Sequence, residues 1–213
     1  MIQKLLPASV ITVVATPDMW IQAAYPDEMS LVKNAVTQRQ QEFQAGRNCA
    51  KEALSILGIE HFPILSGVKR EPIWPEGIVG SITHCKDYCA AALCKTTVAK
   101  SIGIDVEKKT TLDKSTINLI CTKTERAWLS KHDLMDTFWS KVIFSAKECL
   151  YKCYYPLTHQ YLDFLEAELS LDLDKNIFTA KLLINAPSSF NINEPIKGSF
   201  LIEKDYIFTT LIL

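Results

Sequence analysis

Three absences narrow this sequence before any motif is considered. It has no basic excess: 23 Lys and Arg against 24 Asp and Glu leave a formal net charge of -1, so nothing in the balance displaces the counterions of bulk nucleic acid. It has no Cys-x-x-Cys pair, and its seven cysteines are odd in number. No closed disulfide framework fits them, and tetrahedral zinc finds no convincing set of soft ligands. Thiols used as small apolar residues instead imply a reducing, cytoplasmic setting. Nor does any apolar run approach the ~18–20 residues that cross a bilayer. The opening M-I-Q-K-L-L-P-A-S-V-I-T-V-V-A loosely imitates a signal peptide, but Pro7 interrupts it and no clean cleavage site follows. A first strand over Val10 to Ala15 accounts for it better.

What is present reads as a soluble globular chain, with 48% hydrophobic and 22% charged residues over 213 positions. Helix formers with apolar residues near helical spacing run from Asp27 to Leu57, with Gly46 as a point of interruption and Gly58 as a C-terminal stop. Three strand-like runs follow, Ile78 to Thr83, Tyr88 to Leu93 and Ser101 to Glu107. Helices are expected over Lys123 to Lys131 and Ser145 to Tyr154, the latter stopped by Pro156. From Phe164 to Leu213 the apolar pieces read as strands.

Two internal echoes point to related halves. Residues 50–54 read A-K-E-A-L and residues 146–150 read A-K-E-C-L. Residues 80–93 carry G-S-x-x-x-x-K-D-Y-x-x-x-x-L, and residues 198–211 repeat it at the same spacing, with Lys-Asp-Tyr where a turn between strands belongs. The two echoes have different offsets, so the second half carries an insertion. The expectation is an α+β fold of two similar halves, 1–103 and 104–213, with a ligand at their interface.

Four segments carry chemistry. In S-I-G-I-D-V-E-K at 101–108, strand alternation sends Ile102, Ile104 and Val106 to one face and Gly103, Asp105 and Glu107 to the other. Two carboxylates on one face suit a hard dication, although Lys108 and Lys109 beside a solvated strand end explain such a pair better when it stands alone. In F-S-A-K-E-C-L-Y-K at 144–152, Ser145 and Glu148 have capping-box spacing and Glu148 and Lys152 that of an i,i+4 ion pair; a place beside a metal is the functional alternative. The run R-E-P-I-W-P-E-G-I-V-G-S-I-T-H at 70–84 is a rigid loop leading into a strand that ends at His84, a residue able to pair with phosphate, act as a base or satisfy a turn. Trp74 reads as a packing residue. Arg39, Arg47, Lys69 and Arg70 suit a multiply charged nucleotide, or equally a charged surface.

Taken in order, G-R-N-C-A-K-E-A-L, R-E-P-I-W-P-E-G-I-V-G-S-I-T-H, G-I-D-V-E and F-S-A-K-E-x-L-Y-K resemble the 4'-phosphopantetheinyl transferases of the surfactin and enterobactin type, over about residues 39–156. The resemblance implies a pseudo-symmetric pair of α+β halves with coenzyme A between them. It implies transfer of the phosphopantetheine arm to a serine of an apo acyl or peptidyl carrier protein, leaving adenosine 3',5'-bisphosphate. Position by position, it makes Asp105, Glu107 and Glu148 ligands of Mg²⁺. Glu148 becomes the base and Lys152 the group that steadies phosphate. His84, Arg47, Arg39, Ser81 and one or both of Lys69 and Arg70 hold coenzyme A. A working monomer and an acidic, helical carrier are the expected partners, and the pathway served is left open. Two other classes keep parts of this picture: a non-catalytic coenzyme A or carrier-binding module, and a Mg²⁺-dependent coenzyme A hydrolase.

Overall fold

A computed structural model describes residues 1–188, 190 and 195–213. Two antiparallel sheets organise them. In the first, β1 (Ile11–Val14), β2 (Ile78–Cys85) and β3 (Tyr88–Lys95) lie in the order β1-β3-β2. In the second, β4 (Ile102–Lys108), β5 (Ala167–Asp172), β6 (Ile177–Leu182), β7 (Ile196–Glu203) and β8 (Tyr206–Ile212) lie in the order β4-β8-β7-β6-β5. Short helices α1 (Pro26–Ser30), α3 (Lys114–Ile120) and α4 (Lys123–Lys131) flank two long ones, α2 (Thr37–Ile56) on the first sheet and α5 (Trp139–Thr158) across β4 and β8. The architecture is α+β, as expected. None of the helices is long and apolar enough to cross a membrane, among the described residues.

The two sheets meet because β3 has side chains small enough to be covered on both faces. Ala91 and Leu93 pack towards α2, whereas Ala90, Ala92 and Cys94 join Ile102, Ile104 and Val106 of β4 in a second core. Each of those three β4 side chains is fully buried, a gain of about 1.5–3 kcal/mol apiece. Two hydroxyls of β2 then serve the backbone of β4: Ile104 N–H donates to Ser81 Oγ (3.2 Å) and Val106 N–H to Thr83 Oγ1 (3.0 Å). An edge whose donors would otherwise be buried unpaired is thereby satisfied.

Both echoed segments take matching places. The hairpins β2–β3 and β7–β8 each turn on two residues, Lys86-Asp87 and Lys204-Asp205. The left-handed residue is Asp87 (φ 64°) in one and Lys204 (φ 55°) in the other, so the shared letters do not impose one turn geometry. Between α5 and β7 lies the extra hairpin β5–β6, the insertion that the unequal offsets demanded. The expected division at 103/104 falls inside β4, all of which pairs with β8.

Several local expectations are corrected. The helix expected over 27–57 is two helices, because the Gln40 side-chain amide donates to the carbonyls of Val32, Lys33 and Ala35 and stabilises a turn there. Gly46 does not interrupt α2; a Cβ at that position would stand 2.8 Å from Ile82 Cγ2, so the glycine lets helix and sheet close up. Helix α5 starts six residues before Ser145, which rules out the Ser145/Glu148 capping box and leaves Ser145 fully buried mid-helix. Pro156 lies inside α5 rather than ending it: so near the C-terminus it removes a single helical donor, and the helix closes at His159 in a left-handed cap. Of the stretch 164–213 read as strands, 189 and 191–194 lie outside the described residues, and the rest supplies β5–β8.

Candidate active site

Strand alternation on β4 sends Gly103, Asp105 and Glu107 towards α5, opposite the buried isoleucines. Gly103 sets the spacing: a Cβ there would lie 2.0 Å from the Cys149 carbonyl oxygen. With the helix this close, α5 residues spaced by three and four form one face over the strand. Lys141 Nζ reaches Glu107 Oε2 at 3.6 Å, Ser145 Oγ donates to Asp105 Oδ2 at 2.8 Å, and Lys152 Nζ donates to Asp105 Oδ1 at 2.7 Å. Thr83 Oγ1 donates to Asp105 from the other sheet (3.3 Å). The expected Glu148–Lys152 ion pair is absent among the described residues, since Asp105 takes the ammonium instead.

Glu148 has no hydrogen-bond or ion-pair partner among the described residues. Burial pushes its carboxyl up; Lys152 opposes that rise and the Asp105 charge adds to it. Burial and then Asp105 push Glu107 up to about 7, against a smaller pull from Lys141 and Lys152. For Lys152, burial works against the charged form, but the Asp105 carboxylate outweighs it and holds the ammonium above its usual range.

Opposite these groups lie cations from α2 and from the loop at 66–72. Arg47 is buried, its Nη2 donating to Ser66 Oγ (3.1 Å) and its guanidinium 4.5 Å from the Phe43 ring centroid. Its Nε has no partner, and burial, only partly offset by Glu28, lowers its proton affinity to about 10. Arg39 Nη1 donates to His84 Nε2 at 2.6 Å. Burial, then the charge of Arg39, push the His84 ring down, while Glu42 pulls the other way. A tight loop, with Gly67 N–H donating to the Glu71 carbonyl (2.8 Å) and Arg70 at φ 67°, presents Lys69 and Arg70.

All ten residues singled out in the sequence line one cavity of about 750 Å³: Arg39, Arg47, Lys69, Arg70, Ser81, His84, Asp105, Glu107, Glu148 and Lys152. Both sheets and both long helices contribute to its wall. Lys69 and Arg70 both face it, so the ambiguity between them is not resolved by position. The sequence reasoning missed Glu42, Phe43, Phe144, Tyr151 and Tyr155, which also line it. Helical spacing on α2 and α5 was the available signal, since each lies three or four residues from a residue already singled out. Trp74 Nε1 donates to the Gly80 carbonyl (3.0 Å) on the wall, in keeping with a packing role.

Among the described residues, no three His, Cys, Asp or Glu side chains stand close enough, as placed, to hold a metal ion. Lys152 and Ser145 occupy Asp105, and Lys141 occupies Glu107. The donor set still fits a hard divalent cation. It consists of carboxylate oxygens from adjacent elements, and two of the three carboxyls take up protons more readily, through burial first and the Asp105 charge after it.

Comparison with known proteins decides the family. A model of the 4'-phosphopantetheinyl transferase N-terminal domain matches residues 27–94, and one of the 4'-phosphopantetheinyl transferase superfamily matches 101–210. The chain belongs to the 4'-phosphopantetheinyl transferase superfamily. Within it, the chain is 40% identical to 4'-phosphopantetheinyl transferase Svp of Streptomyces mobaraensis, over 88% of this chain and 78% of Svp. It is 31% identical to 4'-phosphopantetheinyl transferase PptT of Mycobacterium tuberculosis, over 100% of this chain and 98% of PptT. A shorter match, 33% identical over 58% of this chain and 51% of the relative, is to enterobactin synthase component D of Salmonella typhi. The chain is therefore an enzyme of the 4'-phosphopantetheinyl transferase type, and neither the non-catalytic module nor the hydrolase is favoured.

Proposed function

We propose that this transferase moves the phosphopantetheine arm of coenzyme A to a serine hydroxyl of an apo carrier protein, with Mg²⁺ held by Asp105, Glu107 and Glu148. The observation that carries this reading is the single cavity that gathers those carboxylates and the cations of α2 and loop 66–72. Arg47, Arg39, Lys69, Arg70 and His84 are the donors suited to the phosphates of coenzyme A, with planar arginine forks matched to phosphate oxygens. The unpartnered Nε of Arg47 supports this, because a buried guanidinium donor without an acceptor is costly. Ser81 lines the same wall, though its oxygen already accepts from Ile104.

Glu148 is suited to take the proton from the serine hydroxyl, being unpartnered and raised in proton affinity. As the serine oxygen bonds to phosphorus, the P–O bond to the nucleotide breaks and adenosine 3',5'-bisphosphate leaves. Lys152, held charged by Asp105, steadies the phosphate oxygens through that change. When bound, the divalent cation supplies charge neutralisation for the diphosphate. One chain builds the whole cavity, which suits a monomer. The seven free thiols suit a reducing cytoplasm. The partner fitting this chemistry is an acidic helical carrier that presents its serine at the cavity mouth.

The test is incubation of the protein with coenzyme A, Mg²⁺ and a panel of apo carriers from fatty-acid, polyketide and nonribosomal peptide synthesis, followed by mass spectrometry. Gain of one phosphopantetheine arm on the carrier serine is expected. Release of free phosphopantetheine with no labelled carrier would mean hydrolysis and overturn the reading.

A further inference from the structure

Glu42 has no place in the roles assigned so far, although its carboxylate faces the donor cavity. A carboxylate in a pocket meant for phosphates is an electrostatic liability unless it serves another group there. Its surroundings identify that group. Glu42 Oε2 lies 3.5 Å from His84 Nδ1 and 3.7 Å from Arg39 Nη1, and its side chain is only 14% exposed. Arg39 Nη1 meets the other ring nitrogen, Nε2, at 2.6 Å.

The chemistry of these groups fixes the proton. A guanidinium has only donors, so Nε2 must be the acceptor. His84 is then neutral with its hydrogen on Nδ1, the nitrogen that faces Glu42. Arg39 and Glu42 approach the ring from α2, Lys152 from α5 and Asp105 from β4. In this arrangement His84 Nε2 is taken by Arg39 Nη1 and is not free for an anion, whereas the guanidinium keeps its other donors. A phosphate that draws Arg39 away exposes Nε2, which then needs a proton from solvent before it can donate. Glu42 is the carboxylate placed against Nδ1–H, able to orient the ring and to balance the charge of the imidazolium.

We propose that Glu42 is a positioning residue of the donor pocket: it reinforces the Nδ1–H tautomer that Arg39 sets on His84 and holds the ring ready for phosphate once Arg39 turns to the same anion. The proposal rests on the coenzyme A reading of the cavity. It gives that pocket a reserve contact, which opens when an anion engages Arg39.

Nitrogen NMR of the histidine rings in the free, full-length protein tests the geometry, with His84→Gln assigning the signal among the four histidines. A neutral ring protonated on Nδ1 is expected. Glu42→Ala is expected to weaken that preference, since Arg39 alone then holds it, and Glu42→Gln to keep it, because an amide oxygen still accepts. With coenzyme A as the probe, KM should rise about tenfold in Glu42→Ala, as the carboxylate that balances the imidazolium is lost, with a much smaller change in kcat. KM in Glu42→Gln should rise several-fold, since geometry remains and charge does not. A ring protonated on Nε2 in the unaltered protein overturns the proposal. So does an unchanged or lower KM in either variant, which is what removing a mere repulsive charge would give. If Glu42→Ala does not fold, Glu42→Gln decides by the same criteria. Should the unaltered protein transfer nothing from coenzyme A, the functional reading fails separately, and the ring tautomer still decides the role of Glu42.

Discussion

Three surroundings compete for the carboxyl of Glu148. Burial and Asp105 disfavour its charge, and Lys152 favours it, with burial the largest of the three. A carboxyl whose proton affinity is raised in this way is a stronger proton acceptor than an ordinary carboxylate, as a general base requires. Replacing it as Glu148→Gln keeps shape and helix but removes basicity. Transfer to an apo carrier is expected to slow about 100-fold or more, and a variant working at the normal rate would dismiss this role. Glu107 gives a second prediction at the same scale. Its carboxyl is raised to about 7 from an ordinary 4.5, so the folded protein binds that proton more tightly than the unfolded chain. The stability it contributes is full below pH of about 4 and is lost as pH rises through about 7. In chelator, the melting temperature is expected to fall between pH 6 and pH 8, and Mg²⁺ is expected to restore it. A melting temperature flat across that range would contradict the charge environment described for Glu107.

Among the elements, α5 and β4 carry the site, and two features hold them in place. One is the close approach at Gly103, where a methyl group would collide with the backbone of α5 rather than with a yielding side chain. Gly103→Ala is expected to destabilise the protein by about 1–3 kcal/mol or more, read by urea denaturation, and to lower transfer by displacing Glu148 and Lys152 from β4. The other is the buried pair Lys147–Glu125 at 2.8 Å. Lys147 Nζ also donates to the carbonyls of Ile120 and Phe164, and Glu125 accepts from the backbone of Thr122 and Leu169. A single substitution, Lys147→Met, leaves the Glu125 charge buried and is expected to cost about 3–5 kcal/mol in thermal or chemical denaturation. In the first half Glu28 plays the same local part, capping α1 and accepting from Ile64 N–H (2.7 Å). Its counterpart lysine, Lys51, instead sits over the Tyr25 ring. These elements were legible in the sequence to different depths. The β4 alternation and the two Lys-Asp turns were readable because period-two patterning and turn residues act locally. The start of α5 was not: Ser145 and Glu148 have capping-box letters, and only tertiary contact with Asp105 and Thr209 shows that Ser145 is an interior residue.

Across the whole molecule, function depends on convergence between the two sheets. The small side chains of β3 let β4 dock against the first sheet, and β2 hydroxyls close the seam. The cations of α2 and loop 66–72 therefore share one cavity with the carboxylates of β4 and α5. Motif order and the family resemblance named most of the charged members of that cavity, leaving out Glu42 and Glu71. The sequence did not name Glu42 or the aromatic wall of Phe144, Tyr151 and Tyr155, because helical spacing marks such positions only once their neighbours are known to face a cavity. The claim underlying the account is that Asp105, Glu107 and Glu148 act together through a divalent cation beside the donor's diphosphate. Titration of coenzyme A and measurement of turnover, each with Mg²⁺ and then with excess chelator, test it most directly. The account predicts that chelation abolishes transfer and weakens coenzyme A binding, both restored by added Mg²⁺. Equal binding and turnover in chelator would contradict it.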